Sequence, residues 1–308
     1  MAAAPYLERL DKHCGEPEKP RPASISGDAP GRRPGGASRP KRLEIERAKV
    51  AQCGGLAVRG SCACGEWQKI LRCGREWCPT CGQAGSERHL QRYGRWLGRV
   101  QTLESAGYWV ITWPPAMREA LKTRAGRDRA KKAVVTVFKA AGYDVGCGRW
   151  HFTGDRHPSV WHPHLNVLVA GGFVPRPQLA RLKAALRAAL GLPAWASIHY
   201  SYRDTPAKLC HVARYITKPH WGPSGLEWEP EVAVDMRGWH NDFWWGRWTG
   251  REPAWPIEGG GPTGALISLA EGRCPACGDR IVWGGVHLVL NGADWEVIAP
   301  GYFFRERG

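Results

Sequence analysis

The sequence predicts an α+β fold in which an antiparallel sheet is backed by two helices and accompanied by small cysteine-rich modules. Two observations carry the core of this prediction. Four short stretches that alternate like strands are separated by two stretches with helical spacing, in the order strand, helix, strand, strand, helix, strand. Of the four strand-like stretches, residues 162–170 are rich in valine and leucine and end at glycines. The modules are predicted from cysteines on both sides of these elements.

The first strand is residues 107–113, a β-branched and aromatic run that ends at two prolines. A basic helical stretch continues to about residue 141, and residues 148–153 alternate again as the second strand. The third strand, residues 162–170, follows a short loop. This second strand should pair antiparallel with the third, because a short loop connects them.

A helix from Pro175 should end at Gly191, and residues 196–202 form the fourth strand. Thr205 and Pro206 are typical of an N-cap and a first helical turn, so a last helix should run from there to Pro219. This order of elements predicts a ferredoxin-like βαββαβ sheet.

Length and composition limit the class of protein. With 308 residues and 43% hydrophobic content, the chain can bury one core plus small appendages. A net charge of +16 favours a polyanionic partner, most simply nucleic acid, although a basic tail alone can carry such an excess. No apolar run approaches the roughly 20 residues of a membrane span, and the first residues lack the apolar core of a signal peptide. No membrane partner is expected.

Cysteine usage indicates the compartment and the organisation of the chain. The cysteines number 11, an odd count, and several have CxxC spacing, which favours metal binding in a reducing compartment over disulfides. We therefore expect a protein of the prokaryotic cytoplasm. Four regions are predicted: a disordered basic tail (1–48), a zinc-binding module (49–100), the sheet domain (101–222) and a tryptophan-rich C-terminal region (223–308).

A structural zinc site is predicted in the second region. The turn from Cys78 to Cys81 reads CPTC, which presents two thiolates to one tetrahedral ion. Cys73 and either Cys62 or Cys64 would complete the ligands, and spacing favours Cys64. The basic helix that follows suits contact with phosphates, through Arg88 and Arg92.

A second zinc is possible near the C-terminus, where Cys274 and Cys277 form half of a zinc ribbon. It needs two more ligands, and the sequence does not rank the candidates His287, Cys53, Cys147 and Cys210. The tryptophans at 239–248 are compatible either with stacking against single-stranded bases or with packing in a small module.

The third strand carries a pair of histidines. Because side chains alternate along a strand, His162 and His164 share one face while Leu165 and Val167 take the other. Antiparallel pairing with residues 148–153 brings His151 to the same side. Three imidazoles on one face can bind a divalent metal, whereas a histidine pair alone would be compatible with an ordinary surface.

Two further motifs accompany HPH at 162–164, namely VITWPP at 110–115 before it and ARYITKP at 213–219, with a tyrosine and a lysine, about fifty residues after it. Together, over about residues 60–245, they resemble the HUH endonucleases, more narrowly the rolling-circle replication initiators (Rep proteins) of plasmids and phages, with VITWPP in place of the family's first strand. In this family a glutamate often provides the third metal ligand; His151 stands there, with Asp155 and His157 as further candidates. The N-terminal cysteines resemble the zinc-binding domain that precedes the same core in some initiators and transposases.

The resemblance implies a mechanism. Tyr215 would attack a phosphodiester, assisted by Lys218 and by Mg²⁺ or Mn²⁺ on the histidines, to leave a 5′-phosphotyrosine and a free 3′-OH. The substrate would be single-stranded DNA or an origin hairpin, and a host helicase and polymerase would be partners. Further DNA contacts are expected from the residues Arg149, Lys208 and His211. Alternatives are a rolling-circle transposase with the same chemistry and a non-catalytic zinc-dependent DNA-binding protein.

Overall fold

A computed structural model of the protein describes residues 39–154, 160–219, 221, 229–249, 262–289 and 294–306. Within them the chain forms seven α-helices and ten strands, and the strands make up two five-stranded antiparallel sheets. The predicted α+β class is therefore confirmed. No helix in these ranges is long and apolar enough to cross a membrane. Asp155, His157 and most of the predicted tail lie outside the described residues.

The helices have the following bounds: α1 Arg39–Ala51, α2 Glu87–Val100, α3 Arg124–Ala140, α4 Arg176–Leu190, α5 Pro206–Ile216, α6 Pro230–Asp235 and α7 Pro262–Ala270. The strands are β1 Leu56–Cys62, β2 Gly65–Ile70, β3 Ala106–Thr112, β4 Gly146–His151, β5 His164–Ala170, β6 Ile198–Arg203, β7 Phe243–Trp245, β8 Val282–Leu288, β9 Glu296–Ala299 and β10 Tyr302–Glu306. Short 3-10 turns occupy Pro115–Met117, Glu119–Lys122 and Gly246–Thr249.

The larger sheet has the strand order β6-β3-β5-β4-β7. Strand β5 lies in its centre, between β3 and β4, and its residues are buried up to Val169. Alternation along these strands sends Trp109, Leu165 and Val167 to one face, where they form the main core with residues of α3 and α4 such as Val134 and Leu186. Full burial of such an aliphatic side chain stabilises by about 1.5–3 kcal/mol.

The opposite face of this sheet packs against α2 and α5. Its core joins Tyr108 and Leu168 of the sheet to Trp96 of α2 and to Val212 and Ile216 of α5. The sheet is therefore covered on both faces, and α5 is held over β3, β4 and β5 by its apolar side.

The helices over the sheet begin at side-chain caps. The hydroxyl groups of Ser86, Thr123 and Thr205 accept backbone N–H bonds from the first turns of α2, α3 and α5. Such a cap typically stabilises by about 1 kcal/mol. Helix α4 ends at Gly191, whose φ of 63° is left-handed and suits a residue without a side chain. The predicted roles of Thr205 and Gly191 are confirmed.

The smaller sheet has the order β8-β1-β2-β10-β9 and combines two distant parts of the chain. Strand β1 pairs with β8, and β2 pairs with β10. Trp67 and Tyr302 are buried in its core together with Leu266 of α7. The predicted boundaries at 100 and 223 therefore separate segments that share one sheet.

Helix α1 begins at Arg39, inside the stretch predicted as a disordered tail, so the prediction fails for residues 39–48. Its Leu43 and Val50 lie on one helical face and pack against the main core. Glu46 is fully buried and pairs with Arg75 and Arg237. These contacts order a segment whose composition alone suggested disorder.

The tryptophans of the C-terminal region pack into the fold where the structure describes them. Trp245 and Trp248 are buried in the two cores that flank the larger sheet. Trp239 lies against two cations, with the Lys131 ammonium 3.7 Å and the Arg127 guanidinium 4.4 Å from its ring centroid. For these three residues, packing is the interpretation that the structure favours.

Candidate functional site

The candidate site lies on the α5 face of the larger sheet. Strand alternation places His151 of β4 and His164 of β5 on this face, directly opposite each other in the antiparallel register. Their ring centroids are 5.2 Å apart. His162 lies just before β5, and its ring centroid is 5.9 Å from that of His164. The three predicted ligands are therefore neighbours.

Backbone contacts orient two of these rings. His164 Nδ1 lies 3.1 Å from the carbonyl oxygen of His162. Because a carbonyl can only accept, Nδ1 carries the hydrogen and Nε2 carries the lone pair. The contact of His151 is reversed: its Nε2 donates to the carbonyl oxygen of Ile216 at 2.8 Å, so its lone pair is on Nδ1.

His151 is held as a neutral imidazole. Burial, and then the proximity of His164, keep its pKa well below the ordinary value. Neutral imidazoles with one nitrogen fixed by a hydrogen bond are suitable metal ligands. Within the described ranges, however, the three histidines do not form a group whose ligand atoms all lie within 4.8 Å of one another. Their nitrogen atoms are chemically suited to bind a divalent ion, although they are spaced more widely than this limit.

Tyr215 joins the histidines from α5. Its ring centroid is 5.6 Å from that of His151 and 6.5 Å from that of Tyr108 on β3. The side chain is half-buried, and the Lys218 ammonium lies 4.9 Å from the centroid of its ring. The tyrosine and the lysine predicted from ARYITKP are thus beside the predicted metal ligands.

A buried hydrogen bond lies beneath this group. The Tyr108 hydroxyl donates to Asn166 Oδ1 at 2.6 Å, and both side chains occupy the same face as His164. Asn166 is fully buried, and among the described residues its Nδ2 has no hydrogen-bond partner. The position of Asn166 on the histidine face follows from strand alternation, whereas its bond to Tyr108 could not be predicted from spacing.

Two of the predicted DNA contacts are corrected. Arg92 and Arg149 are 4% and 1% exposed, and both pair with the buried carboxylate of Glu76. Arg149 also bonds Asp242 at 2.7 Å. Burial opposes the charge on Arg149, but Asp242 and Glu76 outweigh it and raise its pKa. Because these guanidinium groups are buried and paired with carboxylates, they are not accessible to a nucleic acid.

The other predicted DNA contacts remain at the surface. The Arg88 and Lys208 side chains are 46% and 51% exposed. Lys208 pairs with Asp204 at 2.7 Å, and Arg88 lies 3.4 Å from Glu76. His211 is exposed one helical turn before Tyr215. These three exposed side chains can contact a phosphate group without any change in the fold.

The first cysteine cluster differs from the predicted one. Its members are Cys53, Cys73, Cys78 and Cys81, and their sulfur atoms all lie within 4.8 Å of one another. Cys53 takes the place predicted for Cys64 or Cys62: its Sγ is 3.4 Å from Cys81 Sγ and accepts from the Cys73 backbone N–H. We refer to these four residues as the first tetrad.

The second cysteine cluster supplies the partners that the sequence left open. Cys62 and Cys64 join Cys274 and Cys277, and again all sulfur atoms lie within 4.8 Å. His287, Cys147 and Cys210 belong to neither cluster. We refer to this group as the second tetrad; its Cys64 and Cys274 are 210 residues apart and 3.5 Å from each other.

Both tetrads fit a tetrahedral zinc ion. Bonds of about 2.3 Å place sulfur atoms about 3.8 Å apart around zinc. The closest sulfur pair is 3.4 Å apart in each tetrad, Cys53 with Cys81 in the first and Cys62 with Cys64 in the second. The described residues therefore hold two four-sulfur sites that could bind a metal such as zinc.

One thiol in each tetrad is predisposed to lose its proton. The hydrogen bond from Cys73 lowers the pKa of Cys81 to about 5. Burial opposes the thiolate of Cys62, but hydrogen bonds from Trp67 and Cys64 outweigh it and lower its pKa to about 7. The Trp67 indole N–H lies 3.3 Å from the Cys62 sulfur. A thiolate is the form that binds zinc, so the lowered pKa of one thiol in each tetrad favours the first bond to a metal.

Sequence reasoning missed Glu76, which lies between Cys73 and Cys78. An acidic residue between two predicted zinc ligands was a signal, but nothing in the spacing indicated its partners. Comparison with family models, curated proteins and solved structures finds no match to the chain. The side chains and their contacts are therefore what indicates its function.

Proposed function

We propose that the protein is an HUH-type single-strand DNA endonuclease and strand transferase that initiates rolling-circle replication. One observation carries the proposal: within the group of His151, His162 and His164, the His151 ring lies 5.6 Å from the ring of Tyr215, although the tyrosine comes about fifty residues after the HPH motif. The larger sheet adds support. Its strands β3 to β6 follow the order β-α-β-β-α-β in the chain and β6-β3-β5-β4 in space, as in a ferredoxin-like core.

The nucleophile in this proposal is the phenol of Tyr215. Its oxygen forms a bond to phosphorus while the bond to the 3′ oxygen breaks, which leaves a 5′-phosphotyrosine and a 3′-hydroxyl. The phenol loses its proton, and the 3′ oxygen gains one. The pKa of an ordinary tyrosine is about 10, so the neutral phenol is a weak nucleophile. The positive charge of Lys218, 4.9 Å from the centroid of the Tyr215 ring, favours the phenolate.

The histidines hold the reaction centre together. When bound, Mg²⁺ or Mn²⁺ would neutralise charge on the nonbridging phosphate oxygens. His162 and His164 offer ligand nitrogens from the start of β5, and His151 offers Nδ1 from β4. The hydrogen bond from His151 to Ile216 also holds the end of α5, so the ring that would bind the metal also orients the helix of Tyr215.

Several features suit a DNA substrate. The net charge of +16 attracts a polyanion, and Arg88, Lys208 and His211 present cationic or titratable groups near α2 and α5. Single-stranded DNA or an origin hairpin would be the substrate, the free 3′-hydroxyl would prime a polymerase of a prokaryotic host, and a host helicase would separate the strands. A transposase would use the same chemistry.

A second candidate is favoured by the two tetrads, which are typical of zinc modules that bind DNA without catalysis. A pool of single-stranded oligonucleotides with Mn²⁺ separates the two functions. The wild-type protein should form a denaturation-resistant adduct, and Tyr215→Phe should form none. Tyr202→Phe is the matched control, because Tyr202 packs against Phe173 and not against the histidines. An adduct that persists in Tyr215→Phe would show that another residue is the nucleophile.

A further inference from the structure

The loop that carries three ligands of the first tetrad also reaches into the interior below the candidate site. Between Cys73 and Cys78 it presents Glu76, which is 8% exposed. The carboxylate contacts Arg92 of α2 and lies 3.1 Å from Arg149 of β4. One buried carboxylate thus joins the cysteine loop to a helix and to a strand of the larger sheet.

Arg92 continues this connection to the tyrosine helix. Its Nη2 faces Glu76, and its Nη1 donates to the carbonyl oxygen of Thr217 at 2.9 Å. Thr217 is the C-cap of α5, two residues after Tyr215. The last carbonyls of a helix have no partner within it, and a cation there also interacts favourably with the helix dipole.

Arg149 makes a parallel connection to the histidines. It lies on β4 two residues before His151 and on the same face, and it bonds both Glu76 and Asp242. His151 in turn bonds the carbonyl oxygen of Ile216. Two successive carbonyls at the end of α5 are therefore held, Thr217 by Arg92 and Ile216 by His151. Glu76 contacts Arg92 directly, and through Arg149 it contacts β4, the strand that carries His151.

We propose that Glu76 is a positioning residue that couples the first tetrad to Tyr215. With a metal on the tetrad, the loop holds Glu76 against Arg92 and Arg149, and these fix the end of α5 and the strand of His151. Without the metal, the carboxylate loses its fixed position and the end of α5 loosens. Nicking thereby depends on a metal that does not touch the DNA. The link to nicking rests on the proposed function; the link to the end of α5 does not.

The test uses the full chain with its zinc and the variant Glu76→Gln, which keeps the shape but removes the charge. Hydrogen exchange of the peptide over 213–218 should become about tenfold faster, since the end of α5 opens more readily. The rate constant for adduct formation should fall about 100-fold, the effect of a small misplacement of a reacting group, while the KM for the oligonucleotide stays within about twofold. Glu76→Asp should recover part of both.

The matched control is Arg72→Gln, because Arg72 lies in the same loop directly before Cys73 and its side chain is exposed. It should leave exchange over 213–218 and the adduct rate near wild type. Equal losses in both variants would reduce the effect to general damage of the loop and overturn the proposal, as would wild-type values in Glu76→Gln. If Glu76→Gln does not fold, Arg92→Lys replaces it in the test. Lysine keeps the positive charge but lacks the two separate nitrogens that bond Glu76 and Thr217. Hydrogen exchange over 213–218 that stays at the wild-type rate in this variant overturns the proposal.

Metal removal completes the test. Cys81→Ser empties the first tetrad and should speed exchange over 213–218 in the wild-type background but add nothing to Glu76→Gln, because both changes break one connection. Cys277→Ser empties only the second tetrad and should leave that peptide unchanged. Additive effects of Cys81→Ser and Glu76→Gln contradict the coupling. If the wild type forms no adduct at all, the proposed function fails, and the exchange measurements still decide the coupling.

Discussion

The cysteine tetrads and the histidine group are both sets of candidate metal ligands, but their geometry differs. In each tetrad four sulfur atoms converge within 4.8 Å, which leaves no room for a further ligand. The histidine rings are 5.2 and 5.9 Å from their neighbours and face a half-buried tyrosine. A closed set of four ligands is typical of a structural metal, and an open set is typical of a reactive one.

The two kinds of site also differ in how their residues are held. The histidines lie on adjacent strands of a sheet packed on both faces, so their positions follow from the core. The tetrads join loops and strand ends, and the second one connects Cys62 and Cys64 to a turn more than 200 residues away. A metal there would replace the hydrophobic contacts that a small sheet cannot provide.

The largest expected effect tests whether the tetrads are structural. Because zinc binding adds to the free energy of folding, Cys81→Ser and Cys277→Ser should each lose one zinc and unfold at a lower temperature than the wild type. Cys210→Ser is the control, since this half-buried thiol belongs to neither tetrad. Metal analysis and thermal unfolding check the result. A wild-type protein that folds without any zinc would contradict the structural role.

The next effect tests whether the histidine group is reactive and not structural. His164→Ala should lower the nicking rate about a thousandfold, because several kcal/mol of transition-state stabilisation are lost. Its zinc content should stay at two. His199→Ala, an exposed histidine on β6, should keep wild-type activity. Loss of a zinc in His164→Ala would erase the distinction between the two kinds of site.

A smaller effect is expected for the charges beneath the site. Arg149→Ala leaves the buried Glu76 and the half-buried Asp242 without this partner, which should cost about 3–5 kcal/mol of unfolding free energy. Arg88→Ala, at an exposed neighbour of Glu76, should change stability little. Denaturant unfolding measures both. Equal stabilities would show that the buried ion network is not needed for the fold.

The smallest effect concerns the outer face of α5. Lys208→Ala should lower the salt dependence of DNA binding by about one counterion and leave the unfolding temperature unchanged. Binding of single-stranded DNA at several salt concentrations measures this slope. Lys183→Ala, on α4 of the other sheet face, is the control. A slope that falls equally in both variants would indicate that DNA contacts the protein without preference for α5.

The tetrads show where prediction from sequence stopped. The CxxC turn from Cys78 to Cys81 could be read from local spacing, because a tight turn brings two thiolates together wherever it lies. The choice between Cys53 and Cys64 as its partner could not, since it depends on which strands pair. The pairing of β1 with β8 brings Cys64 close to Cys274. The register of this pairing is set by contacts across the smaller sheet.

By itself the sequence determined the α+β class, the order of the strands and helices over the larger sheet, the caps at Thr205 and Gly191, and the common face of His151 and His164. Each depends on residues close in the chain, where alternation and helical spacing act. The tertiary structure alone decided the two tetrads, the burial of Arg92 and Arg149 around Glu76, and the link to Thr217. These depend on which surfaces pack together, and a buried charge takes whichever partner that packing brings to it.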